Sequence, residues 1–93
     1  MEDNKNIFMD TKPEFYFKTI DGSDIKNLFE LANDLERMSD DTYYFHVNGQ
    51  RNDFSNWIRD IFNEHKLADD ISKTGNRLEA EICLLKFIIE KLK

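Results

Sequence analysis

Three stretches of the chain repeat apolar residues at steps of three and four, the pattern typical of amphipathic helices. The first stretch carries Ile25, Leu28, Phe29, Ala32, Leu35 and Met38. The second carries Phe54, Trp57, Ile58, Ile61 and Phe62. The third carries Leu78, Ile82, Leu85, Ile89 and Leu92. Each stretch therefore predicts a helix, and we expect Trp57 in the core with its indole N–H bonded to a carbonyl or carboxylate.

Polar residues at the ends of these stretches predict where the helices begin. A Ser or Asn side chain can accept a hydrogen bond from a free N–H of the first helical turn, which makes it a favourable N-cap. We predict N-caps at Ser23, Ser39, Asn52 and Asn76. Ser39 would begin a short helix over residues 40–47.

Glycine and asparagine predict the helix ends, because both tolerate a left-handed backbone. Asn48 and Gly49 are expected to end the short helix over 40–47. A bend at Asn63 is expected to lead to another short helix, which Gly75 would end.

The N-terminal segment has a different character. Residues 14–20 are rich in aromatic and β-branched residues and predict a strand, with a turn at Asp21 and Gly22. Its partner stays open: residues 6–9 could fold back, or another chain could supply the pairing strand. We therefore expect a single, mainly α domain of about five helices, with a frayed arm (1–6), an extended or β segment (7–20) and a helical body (23–93).

Composition narrows the possible partners and location. A net charge of -6 over 93 residues argues against binding a phosphate backbone and fits a basic protein better. The acidic start lacks the layout of a signal peptide, and no apolar run is long enough to span a membrane. Cys83 is the only cysteine, so no intrachain disulfide can form. We expect a cytoplasmic protein that contacts neither membrane nor nucleic acid.

A polar group near the centre of the chain is the best candidate for a ligand-binding site. It comprises His46, Asn48, Arg51, Asn52, Asp53 and Asp60. A histidine at one helix end and an aspartate at the next helix start could form an acid–base pair. The alternative is that these side chains cap and pair with one another. No nucleophile motif, phosphate loop or paired metal-ligand spacing occurs, so we expect no catalytic residue, cofactor or metal.

The last helix is unusually broad in its apolar character. Leu84, Phe87 and Ile88 extend its apolar surface beyond the stripe of five given above. Such a helix is either the central post of the monomer or covered by another subunit. On the second interpretation, these three residues face outward and are candidate interface residues of a homodimer.

Residues 15–71 resemble a small archaeal and bacterial domain. The similarity lies in Asp21 and Gly22, in the first helix, in 38–40, and above all in 46–48, 51–54 and 57–62. The chain is thereby similar to the domain-of-unknown-function family numbered 5752. The resemblance implies a recurring domain and no particular activity.

These observations favour a non-catalytic protein–protein interaction or regulatory module that self-associates through the C-terminal helix. The alternative function is a small-ligand-binding or catalytic domain with its site at the corner between residues 46 and 60.

Overall fold

The computed structural model describes residues 8–93, and the arm expected at residues 1–6 lies outside them. A short 3-10 turn, Pro13–Phe15, precedes the first strand. The strands are β1 (Phe17–Lys18), β2 (Asp24–Ile25), β3 (Val47–Asn48) and β4 (Arg51–Asn52). The helices are α1 (Leu28–Arg37), α2 (Asp40–His46), α3 (Asp53–Phe62), α4 (His65–Ser72) and α5 (Arg77–Leu92). The mainly α class is confirmed.

The first strand pairs within the chain, in a way the sequence did not predict. β1 and β2 are antiparallel, with Phe17 opposite Ile25, so residues 24–25 of the same chain provide the pairing strand. Gly22 adopts a φ of 98°, which permits the tight turn between the strands. Because Ile25 belongs to this hairpin, Ser23 is not a helix cap. The first helix begins later, where the Asn27 side chain accepts from the Glu30 N–H.

The other three predicted N-caps are confirmed. Ser39, Asn52 and Asn76 each accept a hydrogen bond from the backbone N–H three residues later, at 3.1, 3.0 and 2.8 Å. Asn63 has the predicted left-handed backbone, with a φ of 59°, and separates α3 from α4. Gly75 does not end α4, since that helix already stops at Ser72.

A second small hairpin joins α2 to α3. The residues expected to end α2, Asn48 and Gly49, are instead part of this hairpin: α2 ends at His46, and Val47 pairs with Asn52. The Asn48 Oδ1 accepts from the N–H groups of Gln50 and Arg51, at 2.9 and 3.2 Å. The tight turn brings the end of α2 beside the start of α3.

The core lies between the first hairpin and the helices. Phe17 of β1 stacks on Phe54 and meets Trp57 edge-on, with ring centroids 4.8 and 5.7 Å apart. The Trp57 indole N–H donates to the carbonyl of Phe15 at 2.7 Å, as expected of a core tryptophan. The Ser55 hydroxyl donates to the Ala68 carbonyl at 2.9 Å and joins α3 to α4. Helix α3 is therefore fixed on two sides.

Helix α5 packs against α1 and α4 along one side only. Its buried side chains are Ala80, Leu84 and Ile88, which recur at steps of four. Among residues 8–93, none of the helices combines the length and the apolar character required to cross a bilayer.

Candidate functional site

The predicted corner between α2 and α3 brings a histidine, an arginine and an aspartate together. His46 Nδ1 lies 3.0 Å from Asp53 Oδ2, and Arg51 Nε lies 3.4 Å from Asp53 Oδ1. Arg51 also donates to the Phe45 carbonyl at 2.7 Å. It thus connects a carbonyl at the end of α2 to the carboxylate that opens α3.

The hydrogen bonds of His46 determine the tautomer of its ring. The backbone N–H of Ile20 donates to His46 Nε2 at 3.0 Å, so Nε2 carries no hydrogen. Nδ1 then bears the hydrogen and donates it to Asp53. The imidazole is buried, and Phe17 and Phe54 lie against it with centroids 5.0 and 5.4 Å away. His46 therefore joins the first hairpin to the start of α3.

The remaining candidates at this corner have separate positions. Asn48 forms the hairpin turn and Asn52 caps α3, as described above. Asp60 does not join the cluster, contrary to prediction. It lies two turns beyond Asp53, about 10 Å along α3, and is exposed. It makes no ion pair with Arg51 and no hydrogen bond with His46.

This arrangement favours a structural role over chemistry. An acid–base histidine needs a ring nitrogen that can reach a substrate, and both nitrogens of His46 are occupied by the protein. In the described part of the chain, no buried side-chain nitrogen or oxygen lacks a partner. The same residues contain no group of three His, Cys, Asp or Glu side chains placed to hold a metal ion. The corner therefore fixes the angle between α2 and α3.

A row of exposed apolar residues lies on α5. Its exposed stripe, as we call it, comprises five aliphatic residues that are 39 to 63% exposed: Leu78, Ile82, Leu85, Ile89 and Leu92. They follow steps of four and three, so they line one side of the helix. The stripe is displaced by about a third of a turn from the buried residues of the same helix.

The prediction that Leu84 and Ile88 face outward is wrong. Both side chains are buried, because they lie on the side of α5 that packs into the domain. Phe87 is half-buried and contacts the core from its edge. One arc of the helix is part of the core, and the arc whose residues follow coiled-coil spacing is exposed. The interpretation of α5 as a central post holds for the buried arc, and coverage by another subunit stays a prediction for the exposed arc.

An apolar groove runs between α4 and α5 beside the stripe. It has a volume of about 540 Å³, and its apolar lining comes from Leu67, Ile82, Cys83 and Phe87. Burial raises the pKa of the Cys83 thiol, which disfavours the reactive thiolate. Ile82 belongs to both the groove and the stripe, which makes the two apolar surfaces continuous.

Arg77 is a structural residue that the sequence gave no reason to choose. Its guanidinium donates to the carbonyls of Leu35 and Glu36 at 2.8 and 3.1 Å, and it pairs with Asp40 at 3.0 Å. These contacts fix the start of α5 against the end of α1. The partners are up to 42 residues away, so no local pattern marks them.

Comparison with known proteins adds no relative: no family model, curated protein or solved structure matches the chain. The resemblance to the family numbered 5752 stays a prediction.

Proposed function

We propose that this protein is a non-catalytic protein–protein interaction module that self-associates through the exposed stripe of α5. The observation that carries the proposal is the exposure of Leu78, Ile82, Leu85, Ile89 and Leu92 on one side of a helix. Single exposed aliphatic residues are common on protein surfaces, but a contiguous apolar row is typical of interaction sites.

The physical reason is the cost of leaving this row in water. Association that buries apolar surface is stabilised by about 25 cal/mol for each Å² removed from water. The helix itself is already formed, because Ala80, Leu84 and Ile88 hold it against the domain. Association through the stripe therefore does not need to order the backbone, which lowers the entropic cost of binding.

The stripe also matches the requirements of self-association. All five stripe residues are uncharged, although the chain as a whole has 19 acidic and 13 basic residues. A two-fold dimer uses the same patch on both copies, so an uncharged apolar row is its own complement. The possible basic partner predicted from the net charge would bind a different surface.

The proposal is tested by sedimentation of the purified protein at micromolar concentrations. We expect a species of about twice the chain mass of 11.1 kDa. Ile89→Glu should shift the protein to monomer, because it places a charge within the contact of each copy. A wild-type protein that stays monomeric up to about 100-fold higher concentration would contradict the proposal.

The chain offers a closely matched control. Ile20 lies in the turn between β1 and β2 and is 57% exposed, the same fraction as Ile89. Ile20→Glu makes the identical chemical change outside the stripe and should leave the dimer intact. Loss of the dimer in both variants would indicate a general effect of added charge.

A further inference from the structure

We propose that two copies of α5 pack side by side as a parallel, two-stranded coiled coil in which each stripe residue meets its own counterpart. This inference rests on the proposed self-association and adds the orientation and the register of the two helices. It follows from three features of the described chain: the heptad pattern, the residue types within it and the charges beside it.

The stripe follows the heptad repeat of a coiled coil. Leu78, Ile82, Leu85, Ile89 and Leu92 are separated by alternating steps of four and three. With Ile82 and Ile89 at the first position of each heptad, a, the three leucines all fall at the fourth position, d. The two contact positions of the repeat are thus filled without exception.

The choice between isoleucine and leucine indicates the type of coiled coil. In parallel coiled coils, a β-branched residue at a with leucine at d favours two strands over three or four. Here every a position is isoleucine and every d position is leucine. A mixture of the two types at each position would carry no such preference.

The charged residues beside the stripe favour the same orientation. Glu81 falls at position g and Lys86 at position e of the next heptad. In a parallel dimer, g of one helix lies next to the following e of the other, so Glu81 faces the partner's Lys86 twice by symmetry. No ion pair within residues 8–93 engages either side chain.

The antiparallel alternative covers less of the stripe. In an antiparallel coiled coil, position a of one helix meets position d of the other, so each register fills at most four of the five stripe positions. The register that pairs Leu85 with the partner's Ile82 places Glu79 beside the partner's Lys86 but leaves Leu92 uncovered.

The register that pairs Leu85 with the partner's Ile89 leaves Leu78 uncovered instead. In this register, position e faces e, and Lys86 lies opposite the partner's Lys86. The attractive pair left in that arrangement joins Glu79 to the partner's Lys93. Glu79 already accepts from the Gly75 N–H at 2.7 Å, and Lys93 lies 3.4 Å from Glu90 within the same helix.

Disulfide formation between engineered cysteines tests the orientation. Leu78→Cys and Leu92→Cys are made separately in a Cys83→Ser background and oxidised with a glutathione redox pair. In the parallel dimer, position 78 meets 78 and position 92 meets 92, so each variant alone should give mostly cross-linked dimer on a non-reducing gel. In an antiparallel coiled coil, position 78 instead meets 89, or position 92 meets 82. Cross-linking only when Leu78→Cys is mixed with Ile89→Cys, or Leu92→Cys with Ile82→Cys, would identify an antiparallel dimer and overturn the inference.

A control at the centre of the stripe separates this inference from the proposed function. Leu85→Cys should also cross-link by itself where the two stripes cross in parallel, whereas in an antiparallel coiled coil position 85 meets position 82 or 89 and cross-links only in a mixture of variants. If Leu85→Cys cross-links but Leu78→Cys does not, or if cross-links form only in mixtures, self-association through the stripe stands and the parallel register fails. If Cys83→Ser sediments as a monomer, the proposed function fails and the inference with it. A dimer in which no variant cross-links, alone or in a mixture, would place the contact elsewhere and overturn both.

Discussion

Helices α3 and α5 both carry many apolar residues, but the fold places them in opposite environments. On α3, Phe54, Trp57 and Ile58 are all buried, and the polar groups at its start are paired. On α5, which is longer, three residues are buried and five large aliphatic residues remain exposed. The polar cluster on α3 is paired internally, whereas the apolar row on α5 is exposed, and this contrast supports the proposed interaction site on α5.

The largest expected effect concerns the core side of α3. Trp57→Ala should reduce the free energy of unfolding by about 3–5 kcal/mol, because it leaves a cavity and removes the hydrogen bond to Phe15. Asn56→Ala, on the exposed side of the same helix, should change it by less than about 0.5 kcal/mol. Denaturant titration measures both. Equal midpoints for the two variants would mean that α3 is not the packed centre of the domain.

Two neighbouring leucines compare the two arcs of α5 directly. Leu84 is fully buried and Leu85 is exposed. In an Ile89→Glu background, which should be monomeric, Leu84→Ala is expected to cost about 2–5 kcal/mol and Leu85→Ala less than about 1 kcal/mol. Chemical denaturation provides the comparison. A larger loss from Leu85→Ala would show that the stripe is packed within the monomer.

The structural role of the corner between α2 and α3 predicts an intermediate effect. His46→Ala should cost about 2–3 kcal/mol, since it removes two hydrogen bonds, one of them to a carboxylate. Because Asp53 is a partner of His46, the combined variant with Asp53→Ala should lose less than the sum of the two single variants. His65→Ala is the control, because that histidine is exposed. Strictly additive losses would show that His46 and Asp53 do not act together.

The smallest effect is a dependence of stability on alkaline pH. Burial raises the pKa of Tyr43 above its ordinary value of 10.0. As the pH rises past 10, the unfolded chain releases this proton while the folded chain keeps it, so the free energy of unfolding falls. The free energy of unfolding of Tyr43→Phe should fall less steeply over the same pH range, since Tyr16 and Tyr44 are unchanged in both proteins. Identical slopes in pH-dependent denaturation would contradict the effect of burial.

Local patterns were sufficient for several elements of the fold. Asn52 and Asn76 were recognisable as caps because the capping hydrogen bond spans only three residues. Ser23 was predicted to begin α1 and Ile25 to belong to its apolar stripe, but the cap is Asn27 and Ile25 lies in β2. The pairing of Ile25 with Phe17 places Ile25 in a strand. This pairing belongs to a hairpin that helical spacing does not reveal.

The exposed arc of α5 was predicted less well than the helix itself. The sequence shows that α5 is apolar around much of its circumference, but not which arc the domain covers. The positions of α1 and α4 determine that Leu84 and Ile88 are inside and that Ile82 and Ile89 are outside. Arg77 was missed for the same reason, since its carbonyl partners belong to α1.

The concentration dependence of unfolding tests most directly whether the stripe of α5 is covered by a second copy. Association stabilises the folded state by mass action, so the melting temperature of the wild-type protein should rise over a hundredfold increase in concentration. Ile89→Glu should abolish this dependence, and Ile20→Glu should retain it. A wild-type melting temperature that stays constant over the whole range would contradict the account.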